Sequence, residues 1–258
     1  MVNLTVIIVS YNTATITKNC IESITKSFGE DNKGRYEIIV VDNGSIDDSQ
    51  TQILKLKVQN QNLKLKTIFN TENVGFAKAN NQAVKQAQGR HLLFVNSDII
   101  VKNVDFNKLI KLMDEDREIG VATVRVVLPN GKIDPACHRG FPTLWRSFCY
   151  FAGLEKLFGG VPLLNKIFGG YHLTYKQKNV IHEIDSPSGA FYLIKKDIFT
   201  KIKGFDERFF MYGEDLDLSY RVKKLGNKVI FYPDYEVLHL KYQAVHLPFL
   251  SLLSSLQF

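Results

Sequence analysis

The stretch His91-Leu92-Leu93-Phe94-Val95-Asn96-Ser97-Asp98 is an apolar run that stops abruptly on a carboxylate. It reads as a buried strand with an acid at its tip. In an open α/β sheet covered on both faces by helices, strands are near-continuous apolar runs, and ligands collect outside their carboxyl ends. Asp98 therefore belongs on the rim of the binding crevice. An unpaired carboxylate there is costly unless it meets a cation, and a hard divalent ion held by one or two carboxylates plus substrate phosphates is one solution. Capping of a following helix is the other, because Asp is a favoured N-cap. From the tip alone both readings stand.

The rest of the chain alternates short apolar runs with helically patterned segments, the βαβα signature of a mostly parallel sheet. Leu4 to Val9 and Tyr36 to Val41 read as the first two strands, and Leu63 to Phe69 as the third. Thr13 to Ser27, with Ile16, Cys20, Ile21 and Ile24 at helical spacing, is the first crossover helix. Gly75 to Gln88 is the helix before the Asp98 strand, with Gly89 expected at its C′ position. At 258 residues and 45% hydrophobic content the chain can bury a substantial core. Three separated cysteines, Cys20, Cys137 and Cys149, suggest neither a disulfide framework nor a zinc site. They fit a reducing cytoplasm. Met1-Val2-Asn3 leads straight into the first strand, so no signal peptide is expected, and no apolar stretch reaches the roughly 20 residues that span a bilayer. The net charge of +7 favours anionic partners without choosing among a nucleoside diphosphate, acidic headgroups and nucleic acid.

The strand tips carry the chemistry. Ser10-Tyr11-Asn12 offers an aromatic ring and small polar groups for a base or ribose. Asp42-Asn43-Gly44-Ser45 offers a carboxylate that can accept the N3–H of a pyrimidine, with Asn-Gly making the turn and Asp47 capping the next helix. Asn73 to Asn81 opens a helix, where a diphosphate could approach with Lys78 as a point charge, although Asn73 as a plain cap explains the same residues. Neither G-x-x-x-x-G-K-[ST] nor a strand-linked G-x-G-x-x-G is present.

The ordered set Val9-Ser10-Tyr11-Asn12, Val41-Asp42-Asn43-Gly44-Ser45, Asn73-x-Gly75-Phe76-Ala77-x-Ala79-Asn80 and Asn96-Ser97-Asp98 resembles the nucleotide-sugar half of family 2 inverting glycosyltransferases with the GT-A fold. Gly189-Ala190-Phe191 and Gly204-Phe205-Asp206-Glu207-Arg208-Phe209-Phe210-Met211-Tyr212-Gly213-Glu214-Asp215 resemble the acceptor half, particularly of the bacterial rhamnosyltransferase branch. The resemblance implies that Asp98 is the last acid of a D-x-D-type motif holding Mg2+ or Mn2+ on the donor diphosphate, with Asn96 in the first position. It implies that Asp42 reads the pyrimidine with Ser10 and Tyr11 beside it. Asp215 becomes the general base, Glu214 an acceptor-side residue, and His239 a further metal ligand or diphosphate contact. Where relatives commonly carry an Arg before the Asn of the third motif, this chain has Ala79, with Lys78 one residue earlier.

Taken from residues alone, Glu214 to Leu225 is a helix whose first-turn acids suit the helix dipole, preceded by a strand from Gly189 to Ile194 and a short helix from Lys195 to Ile202. Lys228 to Tyr232 is the following strand. Between residues 129 and 188 the pattern is hard to read. Trp145, Phe148, Phe151, Leu154, Leu157 and Phe158 could form one apolar helical face, a spacing that more often marks core than membrane. The glycine pairs 159–160 and 169–170 and the resemblance make this region an acceptor-side lid or a lipid-facing insert.

The expectation is therefore an α/β chain of the GT-A fold, with a mostly parallel central sheet flanked by helices on both faces. Residues 1–243 would form one domain, with a nucleotide-sugar half at 1–100, an acceptor half at 101–243 and an insert at 141–171. Residues 244–258 would form an apolar tail. The expected activity is inverting transfer from a nucleoside diphosphate-sugar, with dTDP-rhamnose one candidate, to a hydroxyl of a glycan or lipid-linked glycan. The expected location is cytoplasmic, with peripheral membrane contact through the charge and the tail, and no nucleic-acid partner. Two other classes stay open. A sugar-phosphate nucleotidyltransferase should carry a Gly- and Arg-rich loop where this chain has Tyr11-Asn12-Thr13, and a basic scaffold protein would not explain the acidic tips.

Overall fold

The computed structural model describes residues 2–29, 35–59 and 64–241. Its first half contains β1 (Leu4–Ser10), β2 (Tyr36–Asn43), β3 (Lys64–Asn70) and β4 (His91–Asn96), all parallel, in the order β3-β2-β1-β4. β2 is buried along its whole length and β1 at every residue but Val9, which is why both read as near-continuous apolar runs, interrupted by Thr5 and Glu37, where Thr5 donates to Glu37 (2.6 Å). α1 (Ala14–Phe28), α2 (Ser49–Gln59) and α3 (Phe76–Val84) are the crossovers. Asp47 accepts from the amides of both Ala14 (3.2 Å) and Ser49 (3.0 Å), so one carboxylate serves the starts of two helices. α3 ends at Val84, short of Gly89. Gly89 is required for a different reason: a Cβ there would lie 2.4 Å from the Thr5 amide, so the backbone presses directly on β1.

Asp98 does not cap a helix. It leads into a short strand, β5 (Ile99–Lys102), followed by α4 (Phe106–Glu115), which Asp105 caps by accepting from Lys108 N at 3.1 Å. β6 (Ile119–Val127) and a 3-10 turn at Pro135–Cys137 come next. Then follow α5 (Leu144–Phe151), α6 (Leu154–Phe158) and α7 (Pro162–Phe168). The chain finishes with β7 (His182–Ile184), β8 (Phe191–Lys195), α8 (Lys196–Lys201), α9 (Glu214–Lys224) and β9 (Lys228–His239). β8 enters antiparallel to β4, β6 lies antiparallel to β8, and β9 runs parallel to β6. β5 and β7 each pair antiparallel with β9. The sheet is thus parallel through its first half, as the βαβ alternation predicts, and mixed beyond β4. The apolar tail at 244–258 lies outside the described residues.

Two details of the second half position the site. β9 shifts register against β6 between Val124 and Arg125, opposite Tyr232 and Glu236, with Pro233 in the irregular segment. A bulge of this kind bends a strand and re-aims its end. Beyond it, Glu236 to His239 pair with β5, in the register Ile99↔His239. The helical insert α5–α7 is pinned at its neck. Gly140 N donates to Tyr171 O (2.9 Å), Arg146 pairs with Asp185 (2.7 Å), and a Cβ on Gly140 would sit 2.3 Å from Gly170 O.

Candidate active site

The tips of β1 and β2 are laced together. Asn12, at φ 52°, donates its amide to Ser45 Oγ (2.9 Å) and accepts from Ile46 N through Oδ1 (2.9 Å). Ser10 is fully buried, and its hydroxyl is engaged with those of Thr13 (3.2 Å) and Thr17 (2.8 Å) under α1, while Tyr11 stays half-buried at the rim. Asp42 Oδ2 accepts from Ser45 N (3.2 Å) and Gln50 Nε2 (3.0 Å). Its Oδ1 is buried without a hydrogen-bond partner. An orphan carboxylate oxygen at a strand tip is costly unless a ligand donor meets it. Gly44 (φ 79°) is needed because a Cβ would lie 2.6 Å from the Glu72 backbone.

The start of α3 is closed by protein. Asn73 Oδ1 accepts from Gly75 N (3.0 Å), as a cap would, and Phe76 N donates to Phe210 O (2.8 Å). Lys78 is exposed one turn on. The first amide of this helix, Phe76 N, is thus already bonded.

Asp98 and His239 come together, with Oδ1 and Nε2 3.3 Å apart, because the β5–β9 ladder sets residue 98 beside residue 239 and Leu240 N bonds Asp98 O (3.0 Å). The other face of the imidazole is held by Asp134, whose Oδ2 accepts from Nδ1 at 3.1 Å. Asp134 is buried and also accepts from Ala136 N (3.1 Å) and pairs with Lys241 (3.4 Å). Burial alone would push His239 down, but the carboxylates of Asp134 and Asp98 outweigh it and raise the imidazole to about 9. Burial would raise Asp134, but the bond from His239, the Lys241 charge and the Ala136 amide hold it below the usual range. Among the described residues no cluster of three or more His, Cys, Asp or Glu side chains has metal-binding geometry. Asp98 and His239 would offer a divalent ion two ligand atoms only with release of the Nε2 proton that now faces Asp98, and Asp134 on Nδ1 would then fix the neutral tautomer. Asn96 lies half-buried at the end of β4, where its amide donates to Ala190 O (3.3 Å).

That last bond links the two halves. Gly189, next to Ala190, donates its amide to Asp215 Oδ2 at 3.0 Å, so the acid pair of α9 sits against the same edge as the β4 tip. Arg139 Nη2 also meets Asp215 Oδ2 (2.7 Å), and Leu216 N meets Oδ1 (2.7 Å). A carboxylate offers about four acceptor positions, so one on Oδ1 stays open. Glu214 is buried with Oε2 unpartnered, and burial together with the neighbouring Asp215 charge pushes it up to about 7. Phe210, Met211 and Tyr212 are exposed just before this pair, on a loop seated on α3. Asp134 and Arg139 did not stand out in the sequence; each meets its partner across a long separation, 105 residues for Asp134 and 76 for Arg139.

A family model, "Glycosyl transferase family 2", matches residues 5–172. The chain belongs to that family. In this family 2 chain the matched segment carries the donor-side tips and Asp98, while Glu214, Asp215 and His239 lie beyond it. The rhamnosyltransferase WbbL of Escherichia coli is 28% identical over 177 residues, covering 64% of this chain and 60% of that protein. An N-acetylglucosaminyl-diphospho-decaprenol L-rhamnosyltransferase of Mycobacterium tuberculosis is 26% identical over 219 residues, or 79% of this chain and 66% of that one. The chain thus spans two thirds or less of the length of these curated relatives. The solved structure of Staphylococcus aureus TarS matches with TM-score 0.62 at 20% identity, covering 92% of this chain and 36% of that one. GalNAc-T7 with UDP, GalNAc and Mn2+ matches with TM-score 0.65 at 17% identity, covering 93% and 44%. At such identities the likeness speaks to the fold, which is GT-A.

Proposed function

We propose that this chain is an inverting glycosyltransferase that moves a sugar from a nucleoside diphosphate donor to a hydroxyl of a growing cell-surface glycan, free or lipid-linked. Rhamnosyltransferases among its relatives make dTDP-rhamnose the first donor to try. One observation supports the reading: the bonds Asn96–Ala190 and Gly189–Asp215 tie the end of β4, two residues before Asp98, to the buried acid pair of α9 through the start of β8.

On this reading Asp42 accepts from the base, with Tyr11 beside it, and Lys78 supplies a mobile positive charge towards the phosphates. Asp98 and His239 hold Mg2+ or Mn2+, which when bound neutralises the leaving diphosphate as a Lewis acid. Asp134 keeps the Nε2 of His239 turned towards Asp98. Asp215, oriented by Arg139 and the Gly189 amide, uses its open Oδ1 position to accept the acceptor hydroxyl and take its proton. The hydroxyl oxygen bonds the anomeric carbon as the opposite carbon–oxygen bond breaks, and the diphosphate departs with the electron pair. One displacement inverts the centre and leaves no sugar on the protein. Glu214 positions the acceptor. The reading puts the enzyme at the inner face of the cell membrane by peripheral contact; among the described residues no helix is long and apolar enough to cross it.

The test is a panel of nucleotide-sugars assayed for hydrolysis and transfer with and without Mn2+. Metal-stimulated turnover of one donor, with product of inverted anomeric configuration, is expected. Pyrophosphorolysis of the donor would point to a nucleotidyltransferase, and no turnover of any donor would point to a binding role.

A further inference from the structure

The insert α5–α7 is built inside out. Its helices turn Cys149, Glu155 and Asn165 inwards, where Glu155 meets His172 (3.1 Å) and Asn165 Nδ2 bonds Gly159 O (3.0 Å). Outwards they present Leu144 (94% exposed), Phe151 (75%), Leu163 (73%), Leu157 (69%) and Trp145 (50%). Of the apolar face expected over residues 145–158, Trp145, Phe148, Phe151 and Leu157 look to solvent, while Leu154 and Phe158 are half-buried, Phe158 stacked on Phe168 (4.8 Å). So many large apolar side chains exposed on one short segment mark an interaction site. Its charge identifies the partner: between residues 141 and 171 the one acid, Glu155, is buried, whereas Lys156 and Lys166 are exposed. Short helices with Trp, Phe and Leu on one side and basic residues as the exposed charge suit the headgroup and acyl boundary of an anionic bilayer.

We infer that α5–α7 is the membrane seat of this protein, lying in the interface of an anionic lipid surface with its aromatic and leucine side chains immersed. The inference deepens the peripheral-attachment reading above by naming the surface. The seat adjoins the reaction site. Its neck residue Gly140 follows Arg139, which clasps Asp215, and Phe141 packs edge-on against Tyr220 of α9 (5.7 Å). A lipid-linked acceptor held in the same membrane would reach Asp215 without leaving it.

The chain's one tryptophan, Trp145, is in this surface and reports on it directly. The 258-residue chain is mixed with vesicles of phosphatidylglycerol, with neutral phosphatidylcholine vesicles, and with vesicles carrying brominated acyl chains. Co-sedimentation with the anionic vesicles, a blue shift of the Trp145 emission and quenching by the brominated chains are expected. The triple variant Leu144→Asp, Phe151→Asp, Leu163→Asp changes only exposed side chains. It should bind at least on the order of 100-fold more weakly while retaining nucleoside diphosphate binding. Vesicle binding with unchanged Trp145 emission, or equal binding by the variant, overturns the seat while sparing peripheral attachment through another surface. No binding by wild type overturns both; a dimer that shields Trp145 and is dissociated by the triple substitution overturns the seat alone. None of these outcomes depends on the transfer reaction.

Discussion

Glu214 gives the sharpest test of the acid pair because its environment has a computable cost. The carboxyl is buried, its Oε2 has no partner, and its ordinary value of 4.5 is raised to about 7 by burial and by the charge of Asp215. Below pH 4.5 the folded and unfolded chains both hold this proton, and no penalty arises. Between 4.5 and 7 the folded state keeps a proton that the unfolded state has released, so stability falls as the pH rises. Above 7 the full penalty is present. The interval from 4.5 to about 7, at about 1.4 kcal/mol per pH unit, amounts to about 3 kcal/mol. Glu214→Gln keeps the shape and removes the ionisation, so relative to wild type the variant should gain about 3 kcal/mol on going from pH 4 to pH 8. Urea unfolding of both proteins across that range measures it; titration of groups distant from Glu214 cancels in the difference, and what is read is the titration of the Glu214–Asp215 pair. A constant gap between the two stability curves would refute the reasoning, whatever its size, because only the pH dependence of the gap belongs to Glu214.

Asp215→Asn should lower transfer by about 10² to 10⁴ while leaving metal-dependent binding of nucleotide-sugar intact, with Glu214→Gln milder; a loss of less than about tenfold contradicts the base assignment. Asp98→Ala should abolish the divalent-ion dependence of nucleoside diphosphate binding in calorimetry, and equal, EDTA-insensitive binding by both proteins would sink the metal assignment. Asp134→Asn should weaken Mn2+ binding, read by EPR without turnover, by about 10- to 100-fold through loss of the acceptor that orients His239; unchanged affinity removes Asp134 from the site.

The parallel half was legible because its physics is local. β1, β2 and β4 are buried on both faces and announce themselves as apolar runs, and the Asn43-Gly44 turn follows from a close approach that excludes a Cβ. The acid pair was legible for a similar reason, lying in the first turn of a helix with a clear start at Gly213. The insert was legible only in period. A helix with one polar and one apolar side has the same sequence whichever side faces the protein. Glu155 and Asn165 look like solvent-facing residues until Glu155 is seen paired with His172 and Asn165 bonded to a backbone carbonyl at the buried side. Ser10 illustrates the converse: its place at a strand tip suggests a ligand contact, yet two nearby threonines already occupy its hydroxyl.

What no local pattern could reveal is the partnership of distant residues. Asp98 and Asp134 approach His239 because the last residues of β9, past the irregularity at Pro233, lie between β6 and β5 and pair with both, Val237 with Val126 and Val101. The β5 ladder then fixes the imidazole beside Asp98. The same holds on the acceptor side, where Asp215 is oriented by Arg139 from the loop after β6 and by Gly189 from the start of β8. The parallel half thus supplies one residue to the first constellation, Asp98 just past its last strand, and the mixed half supplies His239 and Asp134, which meet it there. The second is assembled wholly from the mixed half, from the loop after β6, the start of β8 and the start of α9.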